Sequence, residues 1–297
     1  MPQSRFQIIA APFTPMHSDG AVDCGRIAAY HGFLAARNVD GAFVCGTTGE
    51  GALLSGAERR RVLEAWVREK EAGFRVFAHV GSECPALSVE LAAHARDVGA
   101  DAIAMVSPTF FKPANEQAVI EQAAVVAAAA PGIPFYYYHI PSMTGLALAI
   151  PRVIELAEHT IPTFAGVKFT HSDVGEYADC LVLAGDRLEI LFGRDDLLLA
   201  GLAVGGNSAV GSTYNFASGL YRRVIEAFED GDLEAARAYQ TQARRMIDVV
   251  VRHGLPGQKA AMGVAGFDCG PSRLPLRNLN RDEHEHLRKD FKALSIS

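Results

Sequence analysis

The chain has 297 residues, of which 49% are hydrophobic and 21% are charged, and these proportions exclude disordered and fibrous proteins. Its formal net charge of −6 argues against a nucleic-acid partner. The length exceeds a typical single domain, but barrels of alternating strands and helices commonly reach it. The basic cluster Arg59-Arg60-Arg61 lies in a predicted helix with an apolar opposite face, so we expect a solvated face rather than a binding patch.

Five cysteines are odd in number and far apart, with no Cys-x-x-Cys pair and no histidine cluster at metal-ligand spacing. This pattern predicts a reducing compartment and no metal site. The first residues lack a charged start followed by an apolar stretch, and the alanine-rich segment Ala123–Ala130 is too short to span a bilayer. We therefore expect a cytoplasmic protein with no membrane partner.

Short β-branched or aromatic runs alternate along the chain with longer helical patterns, which is typical of βα units around a parallel sheet. There are eight such runs, the number of strands in a TIM barrel. We predict an α/β fold, a TIM (β/α)8 barrel. In chain order the predicted strands are Gln7–Ala11, Gly41–Gly46, Arg75–Gly81, Ala102–Ser107, Ile133–His139, Phe164–Phe169, Glu189–Gly193 and Ser208–Ser212.

Helix signals separate these strands. Ser55-Gly-Ala-Glu58 is a capping box, the apolar residues from Val62 to Val67 form a face expected to pack on the barrel, and Asp173 can start the helix after strand six. Only helical patterns follow strand eight: Ser218–Glu229, Leu233–Arg252, Gly257–Gly266 and Arg281–Leu294. We predict that residues 1–215 form the barrel and that residues 216–297 are a C-terminal helical extension packed on it, not an independent domain.

Lys168 stands inside an otherwise apolar run, Thr163–Thr170. It could be an edge-strand lysine that points into water, because lysine is rarely buried. Alternatively, a lysine desolvated in an apolar pocket loses basicity and becomes the nucleophilic amine needed for a Schiff base with a carbonyl substrate. The segment alone leaves both interpretations open.

Other polar residues follow the predicted strands, where the reacting groups of such barrels converge. The turn Gly46-Thr-Thr-Gly-Glu50 can present amides and two hydroxyls to a carboxylate, although it could be an ordinary strand-to-helix loop. Tyr138 offers a phenol for proton transfer, although aromatic residues at strand ends usually serve packing. His139 we interpret as structural rather than as an acid or base.

Three of these elements resemble the class I pyruvate-dependent aldolase family that includes dihydrodipicolinate synthase and N-acetylneuraminate lyase. They are Gly46-Thr-Thr-Gly-Glu50, the tyrosine before Ile140-Pro141, and Gly166-Val-Lys168. The resemblance runs from about Phe6 into the C-terminal helices. It implies that Lys168 forms the Schiff base with pyruvate, that Thr47 and Thr48 bind the pyruvate carboxylate, and that Tyr138 relays the proton. It also implies a homotetramer that needs no metal or organic cofactor.

Within that family the chain is similar to the N-acetylneuraminate lyase branch. Tyr136-Tyr-Tyr-His-Ile-Pro-Ser-Met-Thr-Gly145 resembles the strand-five segment of that branch, and Met143 stands where the synthase branch has an arginine for a second carboxylate. The resemblance also implies a set of residues that hold the polyhydroxy chain of a sugar acid: Thr170, Gly193, Asp195, Asp196 and Ser212.

Two departures from the family are visible. Asp196 stands where the lyase branch commonly has glutamate, and Phe110 and Phe111 lack the hydroxyl of a tyrosine that many members insert into a neighbouring subunit. The expected reaction is cleavage of N-acetylneuraminate to N-acetylmannosamine and pyruvate. Three alternatives stay open: dihydrodipicolinate synthase, another sugar-acid aldolase such as one for 2-keto-3-deoxygluconate, and a catalytically silent regulator that binds a small molecule.

Overall fold

A computed structural model describes residues 5–294. Its centre is a closed barrel of eight parallel strands, each paired with its sequence neighbours and the first paired with the last. The strands are β1 (Gln7–Ala10), β2 (Gly41–Val44), β3 (Arg75–His79), β4 (Ala102–Val106), β5 (Phe135–His139), β6 (Phe164–Phe169), β7 (Glu189–Phe192) and β8 (Ser208–Gly211). The predicted TIM barrel is therefore confirmed.

Helices surround this barrel between residues 5 and 294. They are α1 (Ile27–Ala35), α2 (Gly56–Glu69), α3 (Pro85–Val98), α4 (Glu116–Ala128), α5 (Pro141–Thr144), α6 (Ile150–Thr160), α7 (Val174–Ala184), α8 (Leu198–Ala203), α9 (Tyr214–Glu229), α10 (Leu233–Val250), α11 (Gly254–Val264) and α12 (Arg281–Ala293). None of these helices is long and apolar enough to cross a membrane.

The observed strands differ from the predicted ones mainly at their ends. β5 begins at Phe135, two residues later than predicted, because Pro134 has no amide hydrogen to give to a sheet ladder. The strands also end one or two residues earlier than predicted in several cases, where the chain turns into the loops that carry the polar residues.

Local signals placed several helices correctly. The Ser55 hydroxyl accepts from the Glu58 amide at 3.2 Å, and the Glu58 carboxylate accepts from the Ser55 amide at 2.8 Å, which completes the predicted capping box at the start of α2. Val62, Leu63 and Trp66 of that helix are buried. Asp173 caps α7 by accepting from the Glu176 amide.

Arg59 contradicts the expectation of a solvated basic face. Its side chain is buried and donates to the carbonyl oxygens of Gly81, at 2.9 Å, and His79, at 2.6 Å. The reason is geometric: Arg59 lies on the same face of α2 as Val62 and Leu63, so its guanidinium reaches the end of β3 instead of water. Backbone carbonyls replace the lost hydration.

The helices after β8 share buried surface with the barrel. Residues of α10 and α11, such as Met246 and Met262, belong to the same buried apolar cluster as strand residues such as Ile8 and Val44. Helix α9 begins at Tyr214, so the predicted boundary at residue 215 falls in its first turn. That residues 216–297 do not fold independently stays a prediction.

Alternation along the strands separates an inner from an outer surface. Phe43, Phe77, Tyr136, Tyr138 and Leu191 belong to a separate cluster inside the barrel. At the amino ends of the strands the interior is closed by polar contacts: the Arg75 guanidinium donates to both Glu189 carboxylate oxygens, at 3.0 and 2.9 Å. The open end is therefore the carboxyl end of the strands.

Candidate active site

Lys168 lies inside the barrel near the carboxyl end of β6, and only 4% of its surface is exposed. Its Nζ is 3.8 Å from the centre of the Phe43 ring and 4.1 Å from the centre of the Tyr138 ring. The interpretation as an edge-strand lysine in water is therefore wrong. Burial lowers the pKa of Lys168 to about 7, and the Asp195 carboxylate opposes that shift. A large fraction of the amine is then neutral near pH 7.

Tyr138 stands beside Lys168 on the neighbouring strand β5, in register with it. Its hydroxyl and that of Thr47 are 3.3 Å apart and share a hydrogen bond. Burial raises the pKa of Tyr138 to about 12, against the effect of the nearby Thr47 and Thr170 hydroxyls. The phenol therefore holds its proton at neutral pH and is placed to donate it.

The turn after β2 is held in an unusual backbone conformation. Cys45 and Glu50 have φ values of 57° and 55°, in the left-handed region that non-glycine residues seldom adopt. A Cβ atom on Gly51 would lie 1.9 Å from the Cys45 carbonyl oxygen, so only glycine fits there. The cost of this conformation is offset by distant contacts.

Glu50 supplies one of those contacts. Its buried carboxylate accepts hydrogen bonds from Lys259 Nζ of α11, at 2.8 Å, and from the Arg273 amide, at 2.8 Å. On the other side of the turn, the Thr14 hydroxyl donates to the Gly49 carbonyl at 2.6 Å. The turn that carries Thr47 and Thr48 is therefore tied both to the loop after β1 and to the C-terminal helices.

Asp195 is half-buried after β7 and is held through one oxygen. Its Oδ2 accepts from the Thr213 amide at 3.0 Å and from the Thr213 hydroxyl at 2.6 Å. Burial raises the pKa of Asp195, and these two bonds oppose the rise. A residue larger than glycine does not fit at position 211, because a Cβ atom on Gly211 would lie 2.7 Å from Asp195 Oδ2. Oδ1 is left for other partners.

Asp196 differs from its neighbour because it pairs with Arg194. The guanidinium donates to both carboxylate oxygens, at 2.8 and 2.6 Å, which is the two-pronged geometry of a strong pair. Asp196 therefore shares its acceptor capacity with a cation from its own loop. This pair is not among the contacts predicted from the sequence.

Thr170 and Gly193 face each other at the ends of β6 and β7. A Cβ on Gly193 would lie 2.0 Å from the Thr170 hydroxyl oxygen, so the absence of a side chain makes room for that hydroxyl. The Thr170 oxygen is buried and makes no hydrogen bond of good geometry among residues 5–294, although it lies near enough to the Tyr138 hydroxyl to lower the pKa of that phenol. An unpaired buried hydroxyl is costly unless a ligand satisfies it.

Thr48 and Ser212 lie at the same end of the barrel, after β2 and β8. Within the described residues their hydroxyls share no hydrogen bond with protein, and Ser212 uses only its carbonyl oxygen, which accepts from Asn215 at 2.7 Å. The predicted site residues thus all lie at the carboxyl end of the barrel, with Lys168, Tyr138, Thr47 and Asp195 at its centre.

Two residues near Lys168 were missed by the sequence analysis. Phe43 forms the floor beneath the amine, and His79 lies edge-on to Tyr138, with ring centres 5.9 Å apart. Burial lowers the pKa of His79 well below its usual value, and the charges of Arg59 and Lys168 lower it further. Since alternate residues of a strand face the same side, Phe77 inside the barrel would have predicted His79 inside as well.

Phe110, Phe111 and Met143, three residues singled out in the comparison with the family, are exposed. Phe110 and Phe111, after β4, are 78% and 82% exposed, and Met143 in α5 is 59% exposed. His139 is buried on the outer side of β5, away from Lys168, which agrees with its interpretation as a residue outside the chemistry.

The barrel with this lysine and tyrosine defines the class: the chain belongs to the dihydrodipicolinate synthetase family, whose sequence model matches residues 5–294. Among curated proteins it is similar to the N-acetylneuraminate lyase of Rattus norvegicus, with 40% identity over 302 residues that cover 99% of this chain and 94% of the relative. The predicted family is confirmed.

Solved structures point the same way. The chain is similar to Proteus mirabilis N-acetylneuraminate lyase, with a TM-score of 0.95, 38% identity and coverage of 98% of this chain and 99% of the other. It is similar to the N-acetylneuraminate lyase (sialic acid aldolase) of Aliivibrio salmonicida, with a TM-score of 0.96, 35% identity and coverage of 100% and 99%.

Proposed function

We propose that the protein is a Schiff-base aldolase that cleaves N-acetylneuraminate to N-acetylmannosamine and pyruvate. The observation that carries the proposal is the buried amine of Lys168. Its pKa is lowered to about 7, and its Nζ lies 4.1 Å from the centre of the Tyr138 ring. The full-length similarity to N-acetylneuraminate lyases supports the choice of substrate.

In the first step, neutral Lys168 attacks the ketone carbon of the open-chain sugar acid and forms a carbinolamine. Loss of water then gives an iminium. The departing hydroxide needs a proton in order to leave as water. Tyr138 is suited to provide it, because its raised pKa keeps the phenol protonated. The resulting phenolate lies beside the new positive charge, which stabilises it.

In the second step, the iminium is an electron sink, so the carbon–carbon bond two atoms away breaks with its electrons flowing into an enamine. The Tyr138 phenolate accepts the proton from the hydroxyl that becomes the aldehyde, and N-acetylmannosamine departs. The enamine takes a proton from solvent, and hydrolysis of the resulting iminium returns a proton to solvent, releases pyruvate and restores neutral Lys168. The proton lent by Tyr138 in the first step is thus regained in the second.

The remaining site residues are proposed to bind substrate. Thr47 and Thr48 would bind the pyruvate carboxylate, and the free hydroxyls of Thr170 and Ser212 are available to the polyhydroxy chain. The unused oxygen of Asp195 and the carboxylate of Asp196 would accept hydrogen bonds from sugar hydroxyls, with Gly193 leaving room for Thr170.

The setting of the enzyme is part of the same proposal. We propose a homotetramer, which is supported by the exposed aromatic pair Phe110 and Phe111, whose rings lie edge to face 5.0 Å apart. We also propose a reducing, cytoplasmic location, for which the support is the set of cysteines that are all free.

A substrate panel tests the proposal. Purified protein is incubated with N-acetylneuraminate, 2-keto-3-deoxygluconate, and pyruvate with aspartate semialdehyde, and pyruvate release or consumption is measured. We expect pyruvate release from N-acetylneuraminate and negligible use of aspartate semialdehyde, since exposed Met143 offers no charge for a second carboxylate. Faster cleavage of the deoxygluconate, or efficient condensation, would assign the chain to another activity.

A further inference from the structure

Three potential metal ligands converge on the outer side of the barrel wall, outside the Lys168 site. His139 ends β5, His171 lies in the loop after β6, and Glu176 lies in the first turn of α7. One ligand atom from each lies within 4.8 Å of the others. The side chain of His139 faces outward because its neighbour Tyr138 belongs to the cluster inside the barrel.

The two histidine rings lie against each other in a buried setting. His139 is 3% exposed, and the two rings are perpendicular, with centres 5.7 Å apart. His171 Nδ1 is a buried nitrogen without a hydrogen-bond partner within 5–294. A buried ring nitrogen without a partner is costly unless a ligand satisfies it.

Glu176 completes the group with an oxygen that is free. Its Oε1 accepts from the Ile150 amide at the start of α6, at 2.9 Å, which fixes the carboxylate. Its Oε2 lies 3.7 Å from His171 Nδ1, beyond an ordinary hydrogen bond. One carboxylate oxygen is thus held by the Ile150 amide, and the other faces His171. Ligands of metal ions are commonly oriented by such an additional hydrogen bond to the protein.

We propose that His139, His171 and Glu176 form a binding site for a divalent transition metal ion such as Zn²⁺. Two imidazoles and a carboxylate suit zinc, with water as the fourth ligand. Tetrahedral bonds of about 2.1 Å place ligand atoms roughly 3.4 Å apart, close to the 3.7 Å between His171 and Glu176. The three ligand atoms lie within 4.8 Å of one another and would draw closer when an ion binds, and the His171 side chain is 40% exposed.

A bound ion would join β5, the loop after β6 and the first turn of α7. That loop begins at Thr170, which carries the unpaired hydroxyl next to Gly193. The site is therefore structural or regulatory in its effect, because it would fix the loop without contacting Lys168. It takes no part in the proposed cleavage.

The test is a Co²⁺ titration of tag-free, chelator-treated protein, followed by visible absorption and by competition with Zn²⁺. We expect one Co²⁺ per chain with the bands of a four-coordinate site, displaced by Zn²⁺. His171→Ala and Glu176→Gln should each weaken binding by at least about tenfold. Both side chains are partly exposed, so the variants should fold, which circular dichroism checks.

The matched control is His94→Ala. His94 Nε2 pairs with Glu64 at 2.8 Å on the surface, and no third ligand of the described chain joins that pair. This variant should bind Co²⁺ like the parent. The proposal is overturned if the parent takes up no stoichiometric Co²⁺. It is equally overturned if His171→Ala binds unchanged, or if His94→Ala loses binding to the same extent.

Discussion

Replacing Lys168 by methionine should make the protein more stable while it abolishes the chemistry. The substitution keeps an unbranched chain of similar length but removes the ammonium from a buried position. The pKa of Lys168 falls from 10.5 to about 7, a difference of about 3.5, and each pKa unit corresponds to about 1.4 kcal/mol. The charged form therefore costs the folded state at most about 5 kcal/mol.

The sign of this effect depends on pH. Between about pH 7 and 10.5 the unfolded lysine holds a proton that the folded one has lost, so the stability of the parent rises with pH in that window. The advantage of Lys168→Met should be largest at pH 6 and below, at about 2–5 kcal/mol, and should fall to about 1–2 kcal/mol at pH 9. It should vanish near pH 10.5.

The assay is urea unfolding of parent and variant at pH 6, 7.5 and 9, at one protein concentration. The only tryptophan, Trp66, is buried and reports unfolding by its fluorescence. Lys112→Met is the control, because Lys112 is exposed and its loss should change stability little. Equal stabilities of parent and Lys168→Met at pH 6, or a gap that widens towards pH 9, would refute a buried, desolvated amine.

Four further substitutions probe the site and its supports. Tyr138→Phe should lower turnover roughly a hundredfold or more, the usual effect of losing a general acid–base group, while pyruvate imine still forms; near-parental turnover would place the proton relay elsewhere. Asp195→Ala and Asp196→Ala should each lower kcat/KM for N-acetylneuraminate by about ten- to a hundredfold, since sugar hydroxyls lose acceptors worth about 1–3 kcal/mol, and indifference to both would favour another substrate. Glu50→Gln leaves the Lys259 ammonium buried without its counter-charge and should lower the free energy of unfolding by about 3–5 kcal/mol, measured in urea; an unchanged midpoint would show that the pair does not hold the turn.

The fold was predictable because its signals are local. Each strand is a short apolar run, and helix starts such as Ser55 and Asp173 depend on side chains within three residues of the amides that they cap. The strand ends were less predictable, since they depend on where neighbouring strands stop pairing. Pro134 is an exception, because its missing amide could have been used to place the start of β5.

The residues of the site could be predicted from the sequence, but their burial and their side-chain partners could not. Burial of Lys168 depends on which face of β6 meets the barrel interior, and a run that is apolar on both faces does not reveal it. The Lys259 contact with Glu50 joins residues 209 positions apart. Asp196 pairs with Arg194, to which the resemblance assigned no role.

The potential metal ligands illustrate the same limit. No metal site is expected from the sequence, because no histidines or cysteines cluster at metal-ligand spacing. His139 lies 32 positions before His171 along the chain, and only the parallel pairing of β5 with β6 brings the two together. The parallel register pairs His139 with Phe169, so it would have placed His171, two residues further on and on the same face, near His139.

Borohydride trapping of the pyruvate imine tests the central claim most directly. Protein is incubated with pyruvate, reduced, digested and analysed by mass spectrometry. The account predicts one adduct per chain on Lys168, with none on exposed Lys112 or on Lys259, whose ammonium donates to Glu50 at 2.8 Å. No adduct in the parent, an adduct on another lysine, or one that persists in Lys168→Met would contradict the assignment of Lys168 as the Schiff-base nucleophile.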